Sequence, residues 1–374
     1  MICYQAITEQ KVFDGNFHGW LTERKPVIEG EYMNQGKKVY IEMIRIIAVV
    51  CIIFNHTDGT QYYQATSNIV TWLYSMTGTI LCRMGVPLFF MISGALLLEK
   101  KESVKQLFRK RIGRIVVVLL GVSLFYYSMD IVRYGMEKAS IADFVEKFLT
   151  NGIRESLWFL YAYLGMLMIL PFFQKMILNI DGALIKYLLL LKVVYDIGML
   201  LIQIFFQVHI YLDLGFVGDN ICYMILGWYL DKDPDHIFEK LKTWKTLLFL
   251  VASIVINIVI MYVIFRLKGQ YDVLGFDLLT VIMVPCFWLL VKKVTDNISQ
   301  DGRTGRTILN IGSCVFGIYL LDNFCRWQWL SLYLKLCEKT VGVVACSAYV
   351  GVVFLTGLLY SCILRRLPIV KKYI

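Results

Sequence analysis

The stretch RIIAVVCIIFNH, residues 45–56, has an arginine at one end and a histidine at the other, and the ten residues between them are apolar except for Asn55. An ionisable side chain within a bilayer costs several kcal/mol, so its presence indicates a function. Eleven residues make about three helical turns, which puts Arg45 and His56 on one helix face, roughly 16 Å apart along the axis. This is about half of a ~30 Å hydrocarbon core, as expected for a path from one membrane surface to mid-depth.

The composition of the whole chain is that of a membrane protein. Of its 374 residues, 58% are hydrophobic and 18% are charged, whereas a soluble domain has about 25% charged residues. The apolar residues fall into runs near twenty residues long, enough to cross a bilayer as a helix. The sequence therefore predicts an all-α, polytopic membrane protein. Its cysteines and histidines show no zinc-ligand spacing, so no metal site is predicted.

About ten membrane spans are predicted after a polar tail over residues 1–36, and residues 37–374 form one membrane domain. The second span is expected to contain a shorter one that begins near Gly85, and segment 140–150 is expected to lie on the membrane surface. The predicted spans are 39–57, 70–98, 112–133, 156–174, 184–208, 215–231, 246–265, 273–291, 307–330 and 341–363.

Lysines and arginines are distributed unevenly between the two sides that these spans define. Of the 38, the tails and the loops on their side hold 26, the alternate loops hold nine, and three lie within spans. The positive-inside rule then places both termini in the cytoplasm of a cell-membrane protein. The net charge of +10 is explained by topology and by contact with anionic membrane lipid, not by nucleic acid. The basic run at 99–114 is denser than orientation requires, which leaves a membrane anchor and a nucleotide-cofactor patch as alternatives.

Arg45 and His56 together provide a base and a fixed positive charge. A neutral histidine takes a proton from a hydroxyl near pH 7, and an arginine stabilises a phosphate or a developing oxyanion. A snorkelling Arg45 and a His56 that serves helix packing remain the structural alternatives. Glu42, one turn from Arg45, is its predicted ion-pair partner. In the second span Arg83 is the residue that ordinary helix packing does not explain. Ser93 is small enough for another helix or a ligand to approach closely.

Five motifs, taken in order, resemble those of the acyltransferase-3 family, which comprises integral membrane acyltransferases. Arg45 and His56 match its Arg-x10-His signature in the first helix. The other four motifs are GVPLFFMISGALL at 85–97, the Arg-rich FRKRIGRI at 108–115, SLWFLYAYLGMLMILP at 156–171 and YMILGWYL at 223–230. The likeness covers about residues 37–370, nearly the whole chain.

The resemblance implies transfer of an acyl group, commonly acetyl, from cytoplasmic acyl-CoA to a hydroxyl of a cell-surface polysaccharide or lipid-linked glycan. Glycan-assembly proteins are then expected partners. By this resemblance His56 is the base or acyl-handling residue, and Arg45 and Arg83 stabilise the donor or the transition state. Trp158 and Tyr161 are expected to line the acceptor side.

Further binding residues are predicted around these groups. Ser93 and Glu42 are assigned to the substrate site. Acetyl-CoA, or another acyl-CoA, is the only cofactor-like molecule implied, as donor substrate. Its predicted contacts are the four basic residues at the entry to helix three, Arg109, Lys110, Arg111 and Arg114.

One departure from the family pattern concerns the penultimate span. Family members often have a histidine there in a Gly-Ile-Tyr-Leu-Leu-His motif, whereas this chain has GIYLLDN with Asp322 in that place. If the span starts near Thr307, Asp322 reaches a depth comparable to that of His56. An aspartate there would orient a histidine and stabilise its protonated form, or would be a helix-end carboxylate at the interface. Both interpretations stay open.

Two other functions fit the same residues. In an exporter of polysaccharide or of a small molecule, Arg45, His56 and Arg83 would line a permeation route. A membrane sensor module would work with a separate catalytic partner. The sequence has no Gly-rich phosphate loop and no Gly-x-Ser-x-Gly elbow, so any chemistry is expected within the membrane bundle.

Overall fold

All secondary structure in the part of the chain described by this computed structural model is helical, which confirms the predicted class. The description covers residues 38–65, 68–135, 139–177, 179–206, 221–269 and 276–373, and the predicted tail at 1–36 lies outside it. The longer helices are α1 (Val39–Asn55), α2 (Ile69–Cys82), α3 (Gly85–Leu97), α4 (Val104–Tyr134), α5 (Ile141–Leu149), α6 (Trp158–Ile177), α7 (Gly182–Phe206), α8 (Ile221–Lys232), α9 (Thr243–Lys268), α10 (Thr280–Thr295), α11 (Arg303–Lys339) and α12 (Gly342–Leu364). Short helical segments are Asp58–Thr60, Tyr62–Ala65, Glu155–Leu157, Ile237–Lys240 and Pro368–Lys371.

Several of these helices are long and apolar enough to cross a membrane. Among the described residues there are six such segments: Ile69–Leu97, Val104–Tyr134, Glu155–Ile177, Thr243–Leu267, Arg303–Lys339 and Gly342–Leu364. Each of the ten predicted spans overlaps a helix, but α1, α8 and α10 have only 17, 12 and 16 residues. The chain is thus a helical membrane protein, while the count of ten spans and the cytoplasmic termini stay predictions.

Helix α11 departs most from the predicted boundaries. It runs for 37 residues, through the segment 331–340 that was predicted to connect two spans. The charged residues near its end suggested a loop, but no glycine or proline interrupts the chain between Gly317 and Gly342, so the helix continues. At about 1.5 Å per residue it is roughly 55 Å long. It therefore extends well beyond a ~30 Å hydrocarbon core.

Helix α1 lies at the centre of the bundle, in contact with α2, α3, α10, α11 and α12. Its residues Ile44, Ala48, Val49 and Ile53 have no exposed surface. Protein therefore surrounds the helix that carries the arginine and the histidine. Polar side chains at membrane depth are tolerated in such a position because they meet partners instead of lipid.

Helices α3 and α8 cross at two glycines. A Cβ atom on Gly94 would lie 1.8 Å from the carbonyl oxygen of Met224, and one on Gly227 would lie 2.1 Å from that of Met91. The two backbones thus touch, which is the packing that small residues allow between membrane helices. Helix α3 begins at Gly85, as predicted, so Pro87 lies in its first turn, where proline is tolerated.

The helix ends fall into two groups that are each held by polar contacts. At the first, which we call the basic end, Lys38 contacts Asp231, Lys232 contacts Glu99, and Arg114 donates to the carbonyl of Tyr373. At the other, which we call the opposite end, Tyr62 contacts Tyr333, Tyr74 contacts Ser347, and Arg326 donates to the carbonyl of His56. Helices α1, α4 and α11 all run from the basic end towards the opposite end.

Candidate active site

The centre of the candidate site is a contact between His56 and Asp322. His56 caps the C-terminus of α1, and its Nδ1 lies 2.7 Å from Oδ2 of Asp322 on α11. The carboxylate is 2% exposed, while a quarter of the histidine side chain remains accessible. An ionised carboxylate accepts a hydrogen bond from Nδ1–H, which fixes the ring and makes Nε2 the basic nitrogen. The aspartate thus lies where it can orient the histidine.

Arg326 completes this arrangement and was not predicted. Its Nε lies 3.2 Å from both carboxylate oxygens of Asp322, and its guanidinium also donates to the backbone carbonyl of His56 at 3.0 Å. The four-residue spacing in DNFCR puts Asp322 and Arg326 on one helix face. That spacing could have revealed the pair, but Arg326, near the end of the predicted span 307–330, was counted with the basic residues of the loop that follows. A buried carboxylate is thus shared by a histidine and an arginine.

The turn of α11 that carries Asp322 is held from the side by other elements. The hydroxyl of Tyr126 donates to the carbonyl of Leu320 at 2.8 Å and accepts from the backbone N–H of Phe324 at 3.3 Å. Arg154, paired with Asp130, donates to the side chain of Asn323 on the same turn. In addition, Tyr319 donates to the carbonyl of Ser156 at 2.6 Å. The position of Asp322 is therefore fixed by α4 and by the segment before α6.

Towards the basic end of α1, Arg45 pairs with Glu42 as predicted. Its guanidinium lies 2.8 and 3.0 Å from the two carboxylate oxygens. Glu42 is buried against Gly312 of α11, where a Cβ atom would lie 2.3 Å from its Oε2. A glycine is therefore needed at this position to make room for the ion pair. Helix α1 thus contacts α11 at two points. Near its own N-terminus Glu42 contacts Gly312, and at its C-terminus His56 contacts Asp322.

A second cluster surrounds Tyr163 of α6. Arg45, Arg111 and Arg114 all lie within electrostatic reach of its hydroxyl, and Ser93 of α3 lies beside it. The structure therefore brings together four residues that were predicted at different places in the sequence. Tyr163 itself was missed because Trp158 and Tyr161 were chosen from the same motif. Residues two apart on a helix point to nearly opposite sides, so Tyr161 and Tyr163 serve different surroundings.

The basic run enters α4 through an irregular turn. A capping box between Ser103 and Gln106 starts the helix, and residues Phe108–Ile112 form a π-helical turn. Arg111 binds Glu102 through two hydrogen bonds of 2.6 and 2.8 Å. This contact holds the pKa of Glu102 below its usual value. Glu102 thereby fixes Arg111, while Arg109 and Lys110 are exposed.

The remaining predicted site residues lie apart from both clusters. Arg83 pairs with Asp277 at 3.7 Å. The residue before it, Cys82, is closer to the histidine, because its carbonyl accepts a hydrogen bond from Asn55, the neighbour of His56. Trp158 is 41% exposed. Tyr161 donates to the carbonyl of Phe148, on the side of α6 that faces α5. The structure thus joins His56 with Asp322 and Arg45 with Glu42, but does not join Trp158 or Tyr161 to either pair.

A comparison with protein-family models identifies the chain. The model of the acyltransferase-3 family, described as an acyltransferase domain, matches residues 38–365. The chain belongs to this family. No curated protein and no solved structure matches it. Membership of the acyltransferase-3 family, together with the apolar helices, makes it a membrane acyltransferase.

Within this acyltransferase-3 domain, the structure shows the position of Asp322, which stands where family members often have a late histidine. The aspartate is not a helix-end carboxylate at an interface, because it is buried in the middle of α11 and contacts His56. The described residues contain no cluster of three or more histidine, cysteine or acidic side chains able to hold a metal. The groups assembled here are instead those of acid–base chemistry and of anion binding.

Proposed function

We propose that this acyltransferase moves an acyl group, most simply acetyl, from acyl-CoA to a hydroxyl of a cell-surface polysaccharide or lipid-linked glycan. The enzyme would act in the cell membrane. The observation that carries the proposal is the contact of His56 Nδ1 with the buried carboxylate of Asp322. Such a pair makes a base of Nε2 and stabilises the imidazolium that forms when the base takes a proton.

This geometry supports a direct transfer of the acyl group. Nε2 of His56 takes the proton of the acceptor hydroxyl as its oxygen attacks the thioester carbonyl. The C–S bond then breaks, and the leaving CoA thiolate receives the proton from the imidazolium, so that an ester and free CoA are formed. Asp322, held by Arg326, balances the positive charge on the ring. By the family resemblance Arg83 would stabilise the oxyanion. In this structure it pairs with Asp277, so it would have to exchange that partner during the reaction.

The donor would enter from the basic end. Arg45, Arg111 and Arg114 lie around Tyr163 and would offer guanidinium donors to the CoA phosphates. Glu42 and Glu102 balance the charges of the first two, and Arg109 and Lys110 add two positive charges at the surface. His56 lies roughly 16 Å farther along α1. The long, flexible pantetheine arm of CoA suits this separation between phosphate-binding groups and base. Helix α1 would thus connect the two reactants.

The decisive test is acyl transfer by the purified protein from labelled acetyl-CoA to unacylated surface polysaccharide. His56→Ala is expected to lower kcat by about 10²–10⁴-fold because the general base is lost. Asp322→Asn is expected to lower it by about 10²-fold, because the amide no longer carries the charge that stabilises the imidazolium. In both variants the KM for acetyl-CoA is expected to stay close to that of the wild type, since its phosphates bind elsewhere.

His236→Ala is the matched control. This histidine is 67% exposed and pairs with Glu239 at the basic end, so its loss is expected to leave kcat unchanged. Full activity of His56→Ala would contradict the proposal. Transport of polysaccharide without any acylation of it by the wild type would instead favour an exporter.

A further inference from the structure

Two cysteines on neighbouring helices lie side by side near the basic end. Sγ of Cys314 on α11 is 3.5 Å from Sγ of Cys362 on α12, although the two residues are 48 positions apart in the sequence. A disulfide bond is ~2.05 Å long, so the two sulfur atoms are about 1.5 Å beyond bonding distance. Cys314 is 4% exposed, whereas Cys362 is exposed. One thiol of the pair is thus accessible to a small reagent, and the other is buried beside it.

The helices that carry this pair approach each other closely. The hydroxyl of Ser361, the neighbour of Cys362, donates to the carbonyl of Cys314 at 2.9 Å. One turn away Gly357 lies against Ile318, where a Cβ atom would be 3.1 Å from Cγ2 of the isoleucine. The register of the two helices therefore brings the sulfur atoms together, and only a small shift is needed to close a bond between them.

A guanidinium group lies beside the buried sulfur. Nη1 of Arg365, just after the end of α12, is 3.5 Å from Sγ of Cys314 and also contacts the hydroxyl of Ser313. The thiol of Cys362 is within electrostatic reach of the same arginine. A cationic neighbour favours the thiolate, which is the reactive form of cysteine, whereas a cysteine in purely apolar surroundings is inert. The pair therefore has the environment of a reactive dithiol.

We propose that Cys314 and Cys362 form a peroxide-sensitive dithiol, which closes to a disulfide between α11 and α12. The thiolate of Cys362 attacks one oxygen of hydrogen peroxide and the O–O bond breaks, which gives a sulfenic acid and hydroxide. The thiolate of Cys314 then attacks the sulfenic sulfur, and the S–O bond breaks to give the disulfide and a second hydroxide. The two hydroxides take up the protons released by the two thiols. Peroxide is thereby reduced to two waters while the two sulfur atoms are oxidised.

The position of the pair indicates what the bond would connect. The basic end is predicted to face the cytoplasm, where thiols are kept reduced and disulfides are usually transient or redox-sensing. Cys314 lies two residues after Gly312, against which Glu42 packs while it pairs with Arg45. The disulfide would therefore fix the part of α11 that contacts this ion pair, and it would do so only while peroxide is present.

The test is peptide mass spectrometry of the purified full chain in detergent, after reduction and then exposure to hydrogen peroxide. Free thiols are blocked with iodoacetamide before digestion. The wild type is expected to give a cross-linked pair of peptides that contain Cys314 and Cys362, and dithiothreitol is expected to separate them. In Cys314→Ser the sulfenic acid of Cys362 has lost its partner, so it is expected to proceed to the sulfinic acid.

Cys337→Ser is the matched control for the cysteines. Cys337 is exposed on the same helix, roughly 35 Å from Cys314 along its axis, so its loss is expected to leave the cross-link unchanged. If peroxide oxidises Cys337 in the wild type without forming the cross-link between Cys314 and Cys362, the proposal is overturned.

The role of the guanidinium has its own test. Arg365→Gln leaves both thiols in place and is expected to slow the cross-link about three- to tenfold, because less of the pair is thiolate. Lys371→Gln removes the same charge from an exposed position and is expected to leave the rate unchanged. Equal rates in Arg365→Gln and the wild type would overturn the role assigned to the arginine.

Discussion

Asp322 differs from an ordinary buried carboxylate because it contacts two basic side chains that come from different helices. His56 reaches it from α1, and Arg326 reaches it from one turn farther along α11. A buried charge that loses its partner is strongly destabilising. The arginine therefore gives the carboxylate a positively charged partner whether the histidine is neutral or protonated. Such an arrangement suits a base that gains and loses a proton in each catalytic cycle.

The hydroxyl of Tyr126 is predicted to position Asp322. In a regular helix the N–H of Phe324 donates to the carbonyl of Leu320, and the tyrosine hydroxyl contacts both groups. It thus takes part in the backbone hydrogen bonding of the turn that carries the carboxylate. Tyr126→Phe is expected to lower kcat about tenfold while KM for acetyl-CoA stays unchanged, because the aspartate shifts relative to the histidine. Steady-state kinetics of the purified variant would measure this split.

The neighbouring residue supplies the control. The hydroxyl of Tyr127 contacts Asp143 and Ser140 instead of α11, so Tyr127→Phe is expected to leave kcat unchanged. Both variants lose one hydroxyl from adjacent positions of α4. Equal effects of the two substitutions on kcat would show that Tyr126 acts through general stability alone.

Part of the site could be predicted from the sequence because it depends on local spacing. Glu42 and Arg45 are one turn apart, and the depth of Asp322 follows from counting residues along its span. Arg326 is one turn from Asp322 and could have been found from the same spacing, but the charged residues near 335–339 indicated a loop and Arg326 was counted with it. Tyr163 became apparent only in three dimensions, since its neighbours come from α1, α3 and α4.

At the scale of helices, the crossing of α3 and α8 is predicted to limit the stability of the bundle. A methyl group on Gly94 would overlap the backbone of Met224, so Gly94→Ala requires the two helices to move apart. We expect a loss of at least about 1–3 kcal/mol, seen as a lower thermal midpoint in detergent. Gly121→Ala is the control, because a Cβ atom there meets nothing within 4 Å. That variant should be neutral or up to about 1 kcal/mol more stable.

The entry to α4 is predicted to depend on pH through Glu102. Because Arg111 lowers the pKa of this carboxyl, the ion pair stabilises the folded state above the usual pKa of a glutamate. The contribution is lost as the pH falls through the lowered value. Glu102→Gln should therefore lower the thermal midpoint at pH 7, and the difference from the wild type should shrink in acid. Glu146→Gln, at an exposed position of α5, should show no such convergence; a constant difference for Glu102→Gln would contradict the assignment.

At the scale of the whole molecule, the two ends of the bundle have different chemistry. The basic end carries the arginines around Tyr163, and the opposite end carries His56 with Asp322 and Arg326. A protein organised in this way can take one reactant from each side of a membrane. The structure supports the grouping of the loops, because segments predicted to share a side are joined by ion pairs such as that of Lys38 with Asp231. Which end faces the cytoplasm is predicted from the distribution of basic residues alone.

Two native cysteines allow this orientation to be tested without any tag. Cys337 is exposed near the end of α11, and Cys362 is exposed near the end of α12, beside Arg365 at the basic end. With the basic end in the cytoplasm, a membrane-impermeant maleimide added to intact cells should label the wild type, and Cys337→Ser should lose this labelling. Cys362→Ser should keep it and, in a Cys3→Ser background, should lose only the label added after the cells are opened. The reverse pattern would show the opposite orientation of the bundle. The arginine cluster, and with it the proposed donor site, would then lie outside the cell.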